Sequence, residues 1–271
     1  MKEAAKRIAR LGPFPALRRV WQRAFGWRWF RGSYASWAEA RAASAGYDDA
    51  AVFKRVLDAA CAVRAGRAAW ERDGALFAEP MVHTPLLAAL REIAAERGGR
   101  LDVIDFGGAL GSTWWQHRAA LADLRVTWCV VEQPQFVETG KAEFTGDGLR
   151  FASTIAAAGE GMEPAVILFS SVLPYLENPQ TVLAGAVASG VPHVIIDRTP
   201  FWSGGRDWLT VQRTPPGLGG GSYPAWVFDQ ASLLAPLAEK FEIAAEWPGF
   251  DVIDPRMEYR GLHWTRKAVI T

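Results

Sequence analysis

Apolar positions along the chain follow two different periods, and the change falls near residue 98. Before it the spacing is helical: Val52, Phe53, Val56, Leu57, Ala60 and Cys61 make one face, and Leu86, Leu87, Leu90, Ile93 and Ala94 make another. Thr84 is placed to cap the second helix, Pro85 fits its first turn, and Gly98 with Gly99 supply a left-handed stop. From residue 101 short apolar runs alternate with helical segments, the pattern of a parallel sheet with crossover helices. The runs predict strands at about 101–106, 126–132, 149–152, 164–170 and 192–197, with helices beginning near Gly111, Pro134, Thr154 and Asn178. Past residue 200, DWLTVQR reads as an inserted strand and TPPGLGGGSYP as a flexible loop. DQASLLAPLAEKF reads as a helix capped by Asp229, and EIAAEW with GLHWTRKAVI as a closing pair. The expected architecture is a helical arm and cap over residues 1–98 and, over 99–271, an open Rossmann-like α/β sheet with ligands at the carboxyl ends of its strands.

Composition adds little to this, except at the start. The 271 residues, half of them apolar, can bury a large core, and 30 basic against 29 acidic residues give no argument for a nucleic-acid partner. The first 31 residues differ, with nine Lys or Arg against the single acid Glu3. They lack the continuous apolar run of a secretory signal, and no run of roughly 18 apolar residues spans a bilayer, so a cytoplasmic protein is expected. Ile8, Leu11, Leu17, Val20, Trp21 and Phe25, interrupted by Pro13 and Pro15, read as two short helices packed on their own domain. Contact of this basic arm with an anionic membrane surface is the less favoured reading, and a homodimer is left open. Cys61 and Cys129 are expected as buried core thiols, and the four scattered histidines give no metal-ligand spacing.

Chemistry concentrates at LDVIDFGGALGSTWW, residues 101–115, where a strand enters a glycine turn and then a helix. Glycine lets backbone approach a nucleotide closely, but many folds use that. Asp105, two residues ahead of Gly107, is the distinguishing feature: a carboxylate there repels a dinucleotide pyrophosphate, at a cost of order several kcal/mol in a partly dry site. It suits S-adenosylmethionine, which carries an ammonium and a sulfonium and no phosphate. Glu132 closes the second strand, where a carboxylate can accept both ribose hydroxyls.

The strings DFGGALGS, VVEQP, FSSVLPYLENP, IIDRTPF and YPAWVF resemble a bacterial family of class I S-adenosylmethionine-dependent methyltransferases often found near polysaccharide or secondary-metabolite genes. The likeness extends over most of the chain, including AGYDD in the helical cap. It implies a class I methyltransferase sheet and a cofactor pocket with Asp105, Gly107, Gly108, Gly111, Glu132, Gln133 and Ser170 in binding roles. Ser153 and Ser171, also at strand ends, join these candidates. One departure is Ala109, where the wider methyltransferase pattern favours glycine. The resemblance supplies no acceptor.

For catalysis the candidates are Asp197 and His117, each a base for a hydroxyl acceptor, and Tyr175. Arg198 leaves a buried strand beside Asp197, and Tyr223 with Trp226 follow the glycine-rich loop, read either as a lid that would touch substrate or as a core anchor for that loop. The favoured reading is methyl transfer to a small-molecule or glycan intermediate, which mostly needs alignment and exclusion of water. A second is a cyclase in which the donor's own amine attacks its γ-carbon to give azetidine-2-carboxylate and methylthioadenosine, suited by an aromatic-rich pocket. A third is a nucleotide or adenosylmethionine binder without catalysis.

Overall fold

The computed structural model describes residues 29–45, 49–214, 221–249 and 254–268. The basic arm up to residue 28, part of AGYDD and most of the TPPGLGGGSYP loop lie outside the described residues. In chain order the elements run β1 (Phe30–Arg31), α1 (Trp37–Ala42), α2 (Asp49–Arg64), β2 (Trp70–Arg72), β3 (Ala75–Phe77), α3 (Thr84–Glu96), β4 (Arg100–Phe106), α4 (Ser112–His117), β5 (Arg125–Val131) and α5 (Pro134–Thr139). They continue through β6 (Leu149–Ala152), α6 (Ile155–Gly159), β7 (Val166–Ser170), α7 (Pro179–Ala188), β8 (His193–Phe201), β9 (Trp208–Arg213), β10 (Ser222–Val227), α8 (Gln230–Ala238), β11 (Phe241–Pro248) and β12 (Glu258–Arg266).

Seven strands form one twisted sheet in the order β6-β5-β4-β7-β8-β12-β11. β4 to β8 pair in parallel, and β12 runs antiparallel to both β8 and β11. This is a Rossmann-like α/β fold: the chain steps outward from β4 through β5 to β6, then returns to β7 on β4's other side. The reversal opens a crevice at the carboxyl ends of β4 and β7, where ligands bind in such sheets. Alternation along the strands builds two cores. Ile104, Cys129 and Ile167 face α6, α7 and α8 through Ala158, Leu183 and Leu233, and Leu101, Val103 and Val130 face α3 through Leu86, Leu90 and Ile93.

Most elements lie where their patterns place them, with four differences. The expected division at residue 98 does not coincide with a break in packing, because α3 and Ala60 of α2 share the sheet's core and β1 pairs with β9. The first 98 residues are not wholly helical: β2 and β3 form a hairpin closed by Asp73 and Gly74, both with positive φ (52° and 78°). Asp-Gly is the commonest signal of such a two-residue turn. β8 continues past 197 to Phe201, and β9 pairs with β10 in a small separate sheet. Finally, α3 includes Thr84, and the capping position belongs to His83, whose side chain makes no capping bond. Gly98 and Gly99 end that helix with positive φ, and Gly99 N–H donates to Ala94 O at 2.8 Å. Cys129 is buried and Cys61 half-buried. No helix among the described residues is long and apolar enough to cross a membrane.

Candidate active site

The glycine turn is shaped around Asp105. Gly107 N–H donates to Val131 O at 2.9 Å, extending the β4–β5 ladder by one rung before the chain lifts away. Gly107, Ala109 and Gly111 all take positive φ (75°, 53° and 88°), and Gly111 sits at the N-cap of α4. A Cβ on Gly108 would lie 2.5 Å from Asp105 Oδ2, so the backbone of this residue closes directly over the carboxylate. Asp105 is 1% exposed and accepts a hydrogen bond from Trp128 Nε1–H at 3.0 Å. Burial pushes its carboxyl up to about 7; the Trp128 bond opposes that rise and the nearby Glu132 charge adds to it. Across the turn, Glu132 accepts from Ala109 N–H at 3.3 Å through Oε1 and from Gln133 N–H at 2.7 Å through Oε2. Burial raises its carboxyl as well.

Beyond the turn lies a cleft of about 760 Å³, counted out to its solvent mouth. Its second focus is Asp197 near the middle of β8, 1% exposed. Three donors converge there: Trp247 Nε1–H on Oδ1 at 2.9 Å, Ser170 Oγ–H on Oδ2 at 3.2 Å, and the His83 ring on Oδ1 at 3.1 Å. Burial alone would raise this carboxyl, but the bonds from His83 and Trp247, with the Arg198 charge, outweigh it and hold it below the ordinary range. An ionised carboxylate only accepts, so the His83 nitrogen facing it, Nε2, carries the hydrogen. The next residues along β7 and β8, Ser171 and Arg198, have positive φ (59° and 51°), strain of the kind that clusters at functional sites.

His117 is locked in a different way. Its Nδ1–H donates to Thr113 O at 2.8 Å and its Nε2 accepts from the backbone N–H of His83 at 3.1 Å. Burial lowers its pKa, so the ring is neutral, with both nitrogens engaged. Glu71, on β2 and 3% exposed, accepts from the Ser112 hydroxyl and from Gly74 N–H, which ties the hairpin to α4; burial raises its carboxyl.

Of the residues singled out from the sequence, Asp105, Gly107, Gly108, His117, Ser170, Ser171, Asp197 and Arg198 line this one cleft. Glu132 and Gly111 frame the turn behind it. His117 is corrected from a base to a scaffold residue, since its ring has no uncommitted lone pair. Tyr175 is corrected too: its hydroxyl donates to Gln212 Oε1 at 3.0 Å and its ring meets Tyr223 edge-on at 5.3 Å, away from the cleft. Trp226 donates to Leu176 O at 3.1 Å and stacks on Trp37 at 6.2 Å, so it and Tyr223 anchor the small sheet instead of lining the cleft as substrate contacts. Gln133 and Ser153 are exposed at strand ends and outside the cleft lining. The aromatic-rich pocket that would suit a cyclase is not seen: among the described residues the lining holds no Phe, Tyr or Trp.

Sequence reasoning missed His83, Glu71 and Trp247. His83 and Trp247 are 114 and 50 residues from Asp197, and no local spacing announces such contacts. The Asp73-Gly74 turn was the available signal for the hairpin that carries Glu71 into the cleft.

No protein-family model matches the chain, and no curated protein matches it. Among solved structures, it is similar to the N-terminal domain of EvdMO1 crystallised with SAH and D-fucose, at 17% identity and a TM-score of 0.47, over 82% of this chain and 98% of that one. It is similar to the 1,6-didemethyltoxoflavin-N1-methyltransferase of Burkholderia thailandensis at 18% identity and 0.44, over 83% and 92%. It is also similar to the glycopeptide N-methyltransferase MtfA at 10% identity and 0.47, over 67% and 94%. At these values the cleft's own chemistry has to carry the functional reading.

Proposed function

We propose that the chain is an S-adenosylmethionine-dependent methyltransferase acting on a small polar molecule, a glycan or secondary-metabolite intermediate included, and that it belongs to the bacterial family its DFGGALGS, VVEQP and IIDRTPF strings resemble. The observation that carries the reading is Asp105, a carboxylate sealed under the backbone of Gly108 at the topological switch of the sheet. An ammonium beside it offsets the burial of its charge, whereas a pyrophosphate in that place adds a second negative charge to a dry site.

The residues present fit the donor. A Cβ at Gly107 or Gly108 would strike Val172 or Asp105, so the two glycines let the turn close tightly around the carboxylate, and Asp105 supplies the countercharge. Glu132 has two backbone donors on its oxygens, and a carboxylate has about four lone-pair positions, so capacity remains for ribose hydroxyls. When bound, the donor supplies an electrophilic methyl carbon on a sulfonium. The protein's part is to align an acceptor with that carbon and to exclude water.

Calorimetry with S-adenosylmethionine and, separately, NAD tests the pocket. Binding of the first alone is expected, weakened about tenfold or more in Asp105→Asn and Glu132→Gln proteins that remain folded. Unchanged binding in both variants overturns the assignment. Incubation with S-adenosylmethionine alone tests the reaction: azetidine-2-carboxylate and methylthioadenosine formed together without an acceptor, above the rate without protein, would establish the cyclase and overturn methyl transfer.

A further inference from the structure

We infer that the acceptor carries an apolar arm: its polar, methylated end enters the cleft, and the rest of the same molecule lies over a rim made by residues 76–82. This rests on the methyl-transfer reading above. Leu76, Phe77, Met81 and Val82 are 52%, 38%, 38% and 40% exposed. With Tyr175 and Ile243 they are the exposed large apolar side chains among the described residues, so most of that surface falls in the single stretch LFAEPMV. Exposed apolar residues are normally scattered singly, and a contiguous group beside a cleft marks a surface that a ligand covers.

The rim is continuous with the cleft at both ends. Glu71 and Leu76 are direct partners across the β2–β3 ladder, so their side chains stand on one face of the hairpin. Glu71 lines the cleft and is 3% exposed, and at Leu76 the same face reaches solvent. At the other end Met81 and Val82 lead directly into His83, another lining residue. The backbone between is pinned twice. Trp70 Nε1–H donates to Glu79 O at 3.1 Å, and Gln116, which lines the cleft from α4, donates its Nε2–H to Met81 O at 3.0 Å. Trp70 also stacks on Phe77 at 3.9 Å. A frame already ordered costs an incoming ligand little entropy. A wholly polar acceptor would leave this apolar surface wet, and a wholly apolar one would strip water from Glu71 and Asp73 without replacing it. A molecule polar at one end and apolar at the other suits both, and its arm across the mouth helps to exclude water from the transfer. A protein or membrane lying flat on the rim would cover the mouth that the acceptor must enter. Asp73 and Glu79, both exposed in the same stretch, also disfavour an anionic surface.

The test uses the full chain with S-adenosylhomocysteine in the donor site and, as probes, methyl, butyl, hexyl and octyl glucopyranosides below micelle-forming concentration. Calorimetry should show affinity rising about twofold per added methylene, the gain for a group that is half covered. Leu76→Ser and Val82→Ser, polar changes at exposed positions, should each weaken octyl glucoside about fivefold or more and flatten the dependence on chain length. Ile243→Ser, exposed on β11 and outside the cleft lining, should leave it as in the parent. NMR ties the rim to the cleft: the Met81 methyl and the Ser171 amide should shift together along the octyl glucoside titration, while the buried Met162 and Met257 methyls stay in place. Affinity independent of chain length, an unchanged dependence in both serine variants, or a Met81 shift without one at Ser171 overturns the inference. Self-association of the parent, or its binding to phosphatidylcholine vesicles, overturns it too if Leu76→Ser abolishes it, since the rim would then belong to a second copy or a membrane. All of these leave the donor assignment standing. Absence of adenosylmethionine binding by the parent overturns that assignment instead, and azetidine-2-carboxylate formed from adenosylmethionine alone overturns methyl transfer.

Discussion

Trp247 reaches Asp197 by lying across Gly261. Trp247 on β11 is paired with Gly261 on β12, and its indole N–H passes over that residue to Asp197 on the next strand at 2.9 Å. A Cβ on Gly261 would stand 1.9 Å from the same indole nitrogen. A glycine inside a strand marks such a close approach. Gly261→Ala should therefore expel the indole, and Trp247→Phe should remove the donor while keeping most of the ring. Each is expected to cost about 1–3 kcal/mol in urea unfolding, because a buried charged acceptor loses a partner. Each should also raise the Asp197 pKa, read by carbon-13 NMR of its carboxylate. An unmoved Asp197 signal in Gly261→Ala would show that the indole bond is not what holds this group.

Asp105 makes ligand affinity depend on pH. Its carboxyl is raised by burial from 3.8 to about 7 in the folded protein. Between those values the folded state keeps a proton that the unfolded chain has released, so this group's contribution to stability falls as pH rises through the window and is level above it. A cationic donor binds the ionised form, so its affinity should rise about tenfold per pH unit up to near pH 7 and then flatten. Calorimetry across that range on the parent and on Asp105→Asn checks this. The variant should bind weakly with the slope gone, and an equal slope in both would assign the titration to another group.

The strands were legible because buried parallel strands are written as continuous apolar runs, and Asp105 and Glu132 because a carboxylate ending such a run is conspicuous. Asp229 was legible as a cap because the signal is local, and its side chain does accept from Ser232 N–H. What escaped depends on distance in sequence. Thr84 is the better capping residue by type, yet His83 holds that position because its ring is drawn to Asp197. Tyr175, Tyr223 and Trp226 follow strand ends or a glycine-rich loop as site residues often do, but Tyr175 meets Tyr223 and Trp226 stacks on Trp37 around a three-stranded sheet whose β1–β9 pairing joins segments far apart in sequence.

Ala109 and Gly108 should respond oppositely to small changes. Ala109 holds φ at 53°, a left-handed conformation costing about 1–2 kcal/mol for a residue with a Cβ. Ala109→Gly should relieve most of that and lose part of the gain to unfolded-chain entropy, a net stabilisation of up to about 1 kcal/mol, or roughly 2–4 °C in Tm. Gly108→Ala instead drives a methyl to 2.5 Å from the Asp105 carboxylate. It should lower Tm and weaken adenosylmethionine by about tenfold or more, since turn and carboxylate cannot both stay in place. A Gly108→Ala protein with parental affinity would remove Asp105 from the pocket.

At the opposite ends of the strands a histidine pair should make the fold sensitive to acid. His193 pairs with Glu96 through Nε2 at 3.1 Å and with His263 Nε2 through Nδ1 at 3.1 Å, while His263 Nδ1 is buried without a partner. Burial, with the neighbouring His193, lowers the His263 pKa from 6.5 to about 4, and burial lowers that of His193 as well. The unfolded chain thus takes up protons that the folded one refuses, so stability is lost as pH falls from 6.5 towards 4. Asp105 gives the opposite slope over much of the same window, so the measurement belongs in Asp105→Asn protein, where the acid loss should steepen. Adding His263→Gln, which keeps a donor towards His193 and cannot titrate, should flatten it. Urea unfolding at a series of pH values decides the matter, and an unchanged slope in the double variant would place the acid sensitivity elsewhere in the fold.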